Sequence, residues 1–177
     1  MNARRVLVTG GTGTLGSHVV DRLHAAGREV RVFSRSGGNG RVRGDLATGD
    51  GLEAAVQGVE TIVHCASSPA RTRQVDVGGT HRLLRAAYRA GISHVLFISI
   101  VGVDRNPYYP YYRMKLETER IIERSPMPWT ILRATQFHGF VLALISTLDR
   151  LPVNRGSETP FGNFHRRFIA VNYPVAY

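Results

Sequence analysis

The feature that most constrains this chain is the run Gly10-Gly11-Thr12-Gly13-Thr14-Leu15-Gly16, because of what stands on either side of it. Arg5 to Val8 reads as a strand that ends at Thr9-Gly10, and Leu15, Val19 and Leu23 then fall at helical spacing up to a stop at Gly27. A glycine turn between a strand and a helix opens a βα unit. The first glycines permit a tight turn and let the backbone approach a pyrophosphate, and Gly16 lets the helix pack closely on the strand. Unpaired N–H groups at the helix start, with their partial positive charge, suit phosphate. The competing reading, a glycine-rich turn with no ligand, is disfavoured by the flanking strand and helix.

Apolar runs and helical patterns alternate through the rest of the chain, the sign of βα units and a parallel sheet. Val30–Phe33, Thr61–Cys65, Val95–Ile98 and Trp129–Leu132 read as further strands, five in all. Asp50–Gln57, Val75–Ala90 and Tyr111–Arg124 read as helices, the last held from starting earlier by the prolines of the Asn106–Pro110 loop. Phe140–Leu148 is apolar nearly all round, which predicts a covered helix or an interface element. Beyond Leu151 the pattern dissolves. The predicted fold is a Rossmann-type doubly wound α/β sheet with helices on both faces, its nucleotide-binding domain at 1–150. Residues 151–177 are expected to be a remnant lobe or irregular tail.

The 177 residues suffice for one domain with a substantial core. The net charge of +10 is the one unusual bulk property. Arginines are spread along the chain with no basic run interleaved with aromatics and no zinc-finger spacing, so no specific nucleic-acid partner is expected. No run approaches the roughly 18 apolar residues of a membrane span. With no signal peptide read at the N-terminus and a single cysteine, Cys65, the expected place is the cytoplasm.

Sites that prefer NAD usually carry an Asp or Glu at the end of the second strand, on the ribose 2′-hydroxyl. This chain has Ser34 and Arg35 there. An arginine pairs with a 2′-phosphate that a carboxylate would repel, which predicts NADP(H), with NAD(H) as the alternative. Gly44-Asp45-Leu46 offers a carboxylate to the adenine amino group. Ala66 and Ser67, after Cys65, give the small residues needed where a loop passes over a cofactor. Thr12, Thr14 and Leu15 belong to the glycine turn itself.

Tyr111 and Lys115 stand four apart on the last predicted helix and share a face. A nearby ammonium would lower the phenol's pKa, as a proton donor and acceptor for carbonyl/alcohol chemistry requires, and Lys115 would also reach the ribose hydroxyls. Lys115 is the sole lysine of an arginine-rich chain. Ser99, where the fourth predicted strand runs out, lies where open α/β sheets bind ligands, and would hold a substrate oxygen. Against this, the patch Tyr108, Tyr109, Tyr111 and Tyr112 makes one Tyr–Lys pair at this spacing unsurprising.

With these residues together, the chain resembles the extended and atypical short-chain dehydrogenase/reductase superfamily, in particular its NmrA-like, NAD(P)H-binding branch. The resemblance is carried by Val8–Gly16, Gly44–Leu46, Asp76-Val77-Gly78-Gly79-Thr80, Phe97–Gly102, Pro110–Leu116 and Trp129–Phe137. It implies a cofactor with Gly10, Gly13 and Gly16 at the pyrophosphate, Arg35 near the 2′-phosphate and Asp45 near adenine. It also implies Ser99, Tyr111 and Lys115 as a catalytic trio, and Arg133 to Gln136 as a loop over the nicotinamide. The activity implied is an NADPH-dependent oxidoreductase on a small carbonyl or alcohol. The alternatives are a cofactor-sensing regulator without catalysis, or a shortened, inactive nucleotide-binding domain. Phe168–Ala176 faintly resembles a later family segment. A sixth strand and the closing lobe are expected to be missing, leaving the Phe140–Leu148 helix as a homo-oligomer contact.

Overall fold

The computed structural model describes residues 5–38, 40–105, 108–134 and 167–171. In chain order these form β1 (Arg5–Thr9), α1 (Thr14–Ala25), β2 (Glu29–Ser34), β3 (Arg41–Arg43), α2 (Leu52–Val56) and β4 (Thr61–His64). A 3₁₀ turn (Pro69–Arg71) and a π turn (Arg73–Val77) then lead into α3 (Gly78–Arg89), followed by β5 (His94–Ile100), α4 (Pro110–Glu123), β6 (Trp129–Ala134) and β7 (Arg167–Val171). The strands form one sheet in the order β3-β2-β1-β4-β5-β6-β7, every neighbour parallel.

Strand alternation explains why both faces are covered. Leu7, Ile62, Phe97 and Ile131 point to one face, where they pack with Leu52, Val56, Leu83, Ala87 and Ile122 of α2, α3 and α4. Val8, Val63, Leu96 and Leu132 point to the other, against Val19 and Leu23 of α1. The sheet order reverses between β1 and β4, which opens a crevice at their C-terminal ends. All sequence-expected strands and helices within the described residues occur, with boundaries shifted by a few residues. Pro110 starts α4 at a helix position that needs no N–H.

One strand is added and one expectation is corrected. The segment Arg41–Arg43, given no element from the sequence, is the edge strand β3. Its two arginines face solvent and only Val42 is partly covered, so it carries no apolar run to read. The expected lack of a sixth strand is overturned. β7 pairs in parallel with β6, Ile131 opposite Phe168 and Arg133 opposite Ala170, so 167–171 belong to the sheet. The strand is only five residues long and follows a stretch without periodicity, which hid it. The Phe140–Leu148 helix lies outside the described residues. Among the described residues no helix is long and apolar enough to cross a membrane.

Candidate cofactor and active site

The crevice at the C-terminal ends of β1, β2 and β4 holds a cleft of about 260 Å³, walled by Gly10, Thr12 and Gly13 on one side and Ala66, Ser67 and Ser68 on another. Its floor and far end are Phe33, Ser34, Arg35, Asp45 and Leu46. The glycines are required by geometry. Gly10 has φ +70°, and a Cβ there would stand 2.6 Å from the Ala66 backbone. A Cβ on Gly16 would stand 2.1 Å from the Gly10 carbonyl oxygen, so α1 can approach β1 only with glycine at this place. The Gly13 N–H donates to Gly10 O (2.9 Å) and tightens the turn. Gly13 is then the N-cap of α1 without a side-chain hydrogen bond, and the first turn carries no acidic residue. That start leaves N–H donors for an anion. A backbone cradle that a Cβ would fill, an uncapped helix start and a loop of small residues opposite all fit a dinucleotide.

The other predicted binding residues divide. Arg35 is exposed at the cleft end, beside the buried Ser34 whose Oγ lies 3.4 Å from Ser36 Oγ. Asp45 uses Oδ1 to accept from the Ala47 N–H (2.8 Å), which fixes its carboxylate at the cleft wall. Leu46 is buried beneath it, close enough to Gly79 that a Cβ there would meet it at 2.9 Å. Thr14, Leu15 and Gly16 lie in the first turn of α1 behind the lining. Arg133 is not brought to the cleft. Its Nε and Nη2 fork onto the buried Glu119 carboxylate (3.0 and 2.6 Å), and Nη1 lies 3.4 Å from Asp104. A carboxylate only 1% exposed needs a cation, and Arg133 supplies it. Thr135 and Gln136 lie outside the described residues.

Tyr111 and Lys115 do share one face of α4, and a third group joins them. Asp76, on the π turn, is fully buried. Its Oδ1 lies 3.3 Å from Lys115 Nζ and accepts from Ser67 Oγ (2.6 Å), while Oδ2 accepts from the Ser68 N–H (3.0 Å). Because Ser67 spends its one proton on Asp76, the Tyr111 hydroxyl must be the donor across its 2.9 Å contact with Ser67 Oγ. The result is a hydrogen-bonded chain from Tyr111 through Ser67 to Asp76, closed by Lys115. Lys115 is 4% exposed, also donates to Ile98 O (3.4 Å), and sits 4.8 Å from the Phe97 ring centroid. Two of its three N–H donors are thus occupied inside the protein.

The sequence-based expectation for Tyr111 reverses here. Burial pushes its hydroxyl above the usual tyrosine value, only partly offset by the Ser67 hydrogen bond, and the Asp76 charge adds to the rise. The Lys115 ammonium lies 6.0 Å from the Tyr111 ring centroid but spends its charge on Asp76. Burial also lowers Lys115, against the opposing pull of Asp76. Ser99 is 3% exposed at the C-terminal part of β5, and its Oγ has no hydrogen-bond partner among the described residues. A buried hydroxyl without a partner is rare enough to mark a place where a ligand completes the bonding.

Beneath this set, His64 is held between Thr9 (Nδ1, 2.6 Å) and Thr80 (Nε2, 2.9 Å). Thr80 Oγ1 donates to the Asp76 carbonyl, so His64 Nε2 carries the ring proton and Nδ1 accepts from Thr9. Burial and the Lys115 charge hold its pKa down to about 4. Burial pushes the Cys65 thiol up to about 12, which makes it an inert wall of the cleft. Asp76 and Arg71 were not singled out as site residues by the sequence reading. The usable signal for Asp76 was its place at the head of Asp76-Val77-Gly78-Gly79-Thr80, one of the segments that carry the family resemblance.

The family model for NAD(P)H-binding matches residues 10–139. Photosystem II assembly factor Ycf39 of Synechocystis is 31% identical over 94% of this chain and 56% of its own length. Human sterol-4-alpha-carboxylate 3-dehydrogenase, decarboxylating, is 36% identical over 57% of this chain and 30% of its own. A crystal structure of a short-chain dehydrogenase/reductase superfamily protein from Agrobacterium tumefaciens with bound NAD matches with a TM-score of 0.65 and 31% identity, over 73% of this chain and 48% of that one. The chain spans about half the length of the assembly factors it matches. The cradle, the sheet order and these likenesses agree: the chain belongs to the NAD(P)H-binding family within the short-chain dehydrogenase/reductase superfamily.

Proposed function

We propose that this chain is the cofactor domain of an oxidoreductase that uses NADP(H) in preference to NAD(H) and acts on a small carbonyl or alcohol. The observation that carries the chemistry is the 2.9 Å contact between the Tyr111 hydroxyl and Ser67, a residue of the cofactor cleft itself. That contact puts a proton-bearing group beside the cleft, which supports a role for it in proton transfer to a bound substrate. Gly10, Thr12 and Gly13 would hold the pyrophosphate, Asp45 and Leu46 the adenine, and Arg35 the 2′-phosphate. Among the described residues the end of β2 has no carboxylate to bind an unmodified ribose, which supports NADP(H). The bound cofactor would supply hydride to the carbonyl carbon.

Tyr111, a phenol protonated at neutral pH, would then turn its proton from Ser67 to the carbonyl oxygen. Ser99 Oγ would find in the substrate oxygen the partner it lacks. Lys115, paired with Asp76, would hold the Tyr111–Ser67–Asp76 chain in position rather than tune the phenol downward. The single thiol, Cys65, suits a reducing compartment such as the cytoplasm.

A second reading is a nucleotide-binding protein without turnover whose bound cofactor governs a protein partner. The likeness to an assembly factor over 94% of the chain favours it. NADPH oxidation against a panel of aldehydes, ketones and quinones separates the two. Catalysis by Tyr111 predicts turnover that falls by about a hundredfold or more in Tyr111→Phe. Undiminished turnover in that variant sinks the assigned acid, and binding without turnover in the wild type selects the second reading.

A further inference from the structure

We propose that Arg71 is a second anion anchor of the cleft, a guanidinium that holds the cofactor's pyrophosphate from the side opposite Arg35. The proposal rests on the dinucleotide reading above and adds a residue that neither the glycine motif nor the family resemblance supplied.

The topology separates the two arginines. Arg35 leaves the sheet at the end of β2, which flanks β1 on one side with Phe33 opposite Thr9. Arg71 ends the 3₁₀ turn that follows β4, which flanks β1 on the other side with His64 opposite Thr9. The loop after β4 lies directly against the glycine turn, since the Ala66 backbone occupies the space a Gly10 Cβ would need. Both arginines line the same cleft, so they stand on opposite flanks of Gly10–Gly13. A diphosphate seated on that turn faces Arg71, while the 2′-phosphate of the adenosine ribose faces Arg35.

Arg71 is exposed, held in place and still available. Its Nε donates to Gln74 Oε1 (3.1 Å), and its terminal nitrogens make no hydrogen bond or ion pair with the described residues. A guanidinium steadied at Nε presents its two terminal nitrogens as a fork, the geometry that phosphate oxygens accept in pairs. The loop beneath it is fixed as well. The Arg71 N–H donates to Ser68 O (2.9 Å), and Ser67 Oγ and the Ser68 N–H both donate to the buried Asp76 carboxylate. Asp76 thus ties the anion side of the cleft to the Tyr111–Lys115 set.

Charge points the same way. Among the described residues that line the cleft the one carboxylate is Asp45, already engaged by the Ala47 N–H, against the two guanidiniums of Arg35 and Arg71. One phosphate-bearing ribose needs one of them. A cofactor with a 2′-phosphate and a diphosphate has an anionic group for each.

Isothermal titration of NADPH, NADH, ADP-ribose and adenosine 2′-phosphate into wild type, Arg71→Ala and Arg35→Ala tests the assignment. Arg71→Ala is expected to weaken NADPH, NADH and ADP-ribose by a common factor of about tenfold, the loss of a charged hydrogen-bond pair. Adenosine 2′-phosphate should be unchanged in that variant. Arg35→Ala should show the complement, weakening NADPH and adenosine 2′-phosphate alone. Unchanged affinities in Arg71→Ala overturn the proposal. So does a loss confined to NADPH and adenosine 2′-phosphate, which would give Arg71 to the 2′-phosphate. A wild type that binds none of the four overturns the dinucleotide reading and this proposal with it. Arg71 is exposed, so an unchanged melting temperature without ligand will show that the variant is folded.

Discussion

Asp76 and Lys115 meet at 3.3 Å with almost no exposure on either side, in a place where each charge depends on the other. Removing one partner from such a pair leaves a buried charge without compensation, at a cost of about 3–5 kcal/mol, whereas replacing both by apolar groups is often neutral. Asp76→Ala is therefore expected to lower stability by about that amount in urea denaturation. The double variant Asp76→Leu with Lys115→Met should recover much of the loss. A single substitution costing under about 1 kcal/mol would mean that solvent reaches the pair and screens it. Tyr111 and Lys115 were legible in the sequence because two residues four apart on one helix need no long-range information. Asp76 was not, because its partners Ser67 and Lys115 are joined to it only when β4, α3 and α4 pack together. Arg133 misled for the same reason: its forked partner Glu119 lies on α4 and announces nothing locally.

At the scale of elements, His64 fastens three of them. It sits at the end of β4, accepts from Thr9 at the end of β1 and donates to Thr80 in α3. Its pKa, held down to about 4 against an ordinary 6.5, makes that clamp sensitive to acid. As pH falls through 6.5 the unfolded chain takes up a proton that the folded chain refuses until about 4. Stability therefore drops across that window, by up to about 1.4 kcal/mol per pH unit, and is fully present above it. Burial holds His94, bonded to Thr130, to about 4 as well and adds to the slope. Urea midpoints measured between pH 7 and pH 4.5 should show the fall, and His64→Asn should remove about half of it. A flat profile in the wild type would contradict the buried, neutral state.

Other element-scale features show where sequence patterning stops. The helix read as Val75–Ala90 is a π turn followed by α3, and the hydrophobic spacing is nearly the same for both. Short α2 is completed by Arg31, whose Nη1 donates to the carbonyls of Ala54 (3.2 Å), Ala55 (2.8 Å) and Gln57 (2.7 Å). Such a cation at a helix C-terminus is favourable, and it comes from a neighbouring strand that no local pattern ties to α2. The β3 and β7 strands, short and at the two edges, depend on pairing with β2 and β6 rather than on their own periodicity.

For the molecule as a whole, the glycine turn with its flanking β1 and α1 was enough to set the sheet type and the place of the cleft, because that geometry admits few alternatives. The net charge of +10 was less informative in the sequence than it is in the cleft, where Arg35 and Arg71 flank one backbone turn. The central claim is that this cleft binds a dinucleotide and that Arg35 reads its 2′-phosphate. The measurement that tests it most directly is the ratio of dissociation constants for NADPH and NADH, in wild type and in Arg35→Ala. NADPH is expected to bind tighter by about tenfold or more in the wild type, with a ratio near one in the variant. Equal affinities in the wild type, or tighter binding of NADH, would contradict it.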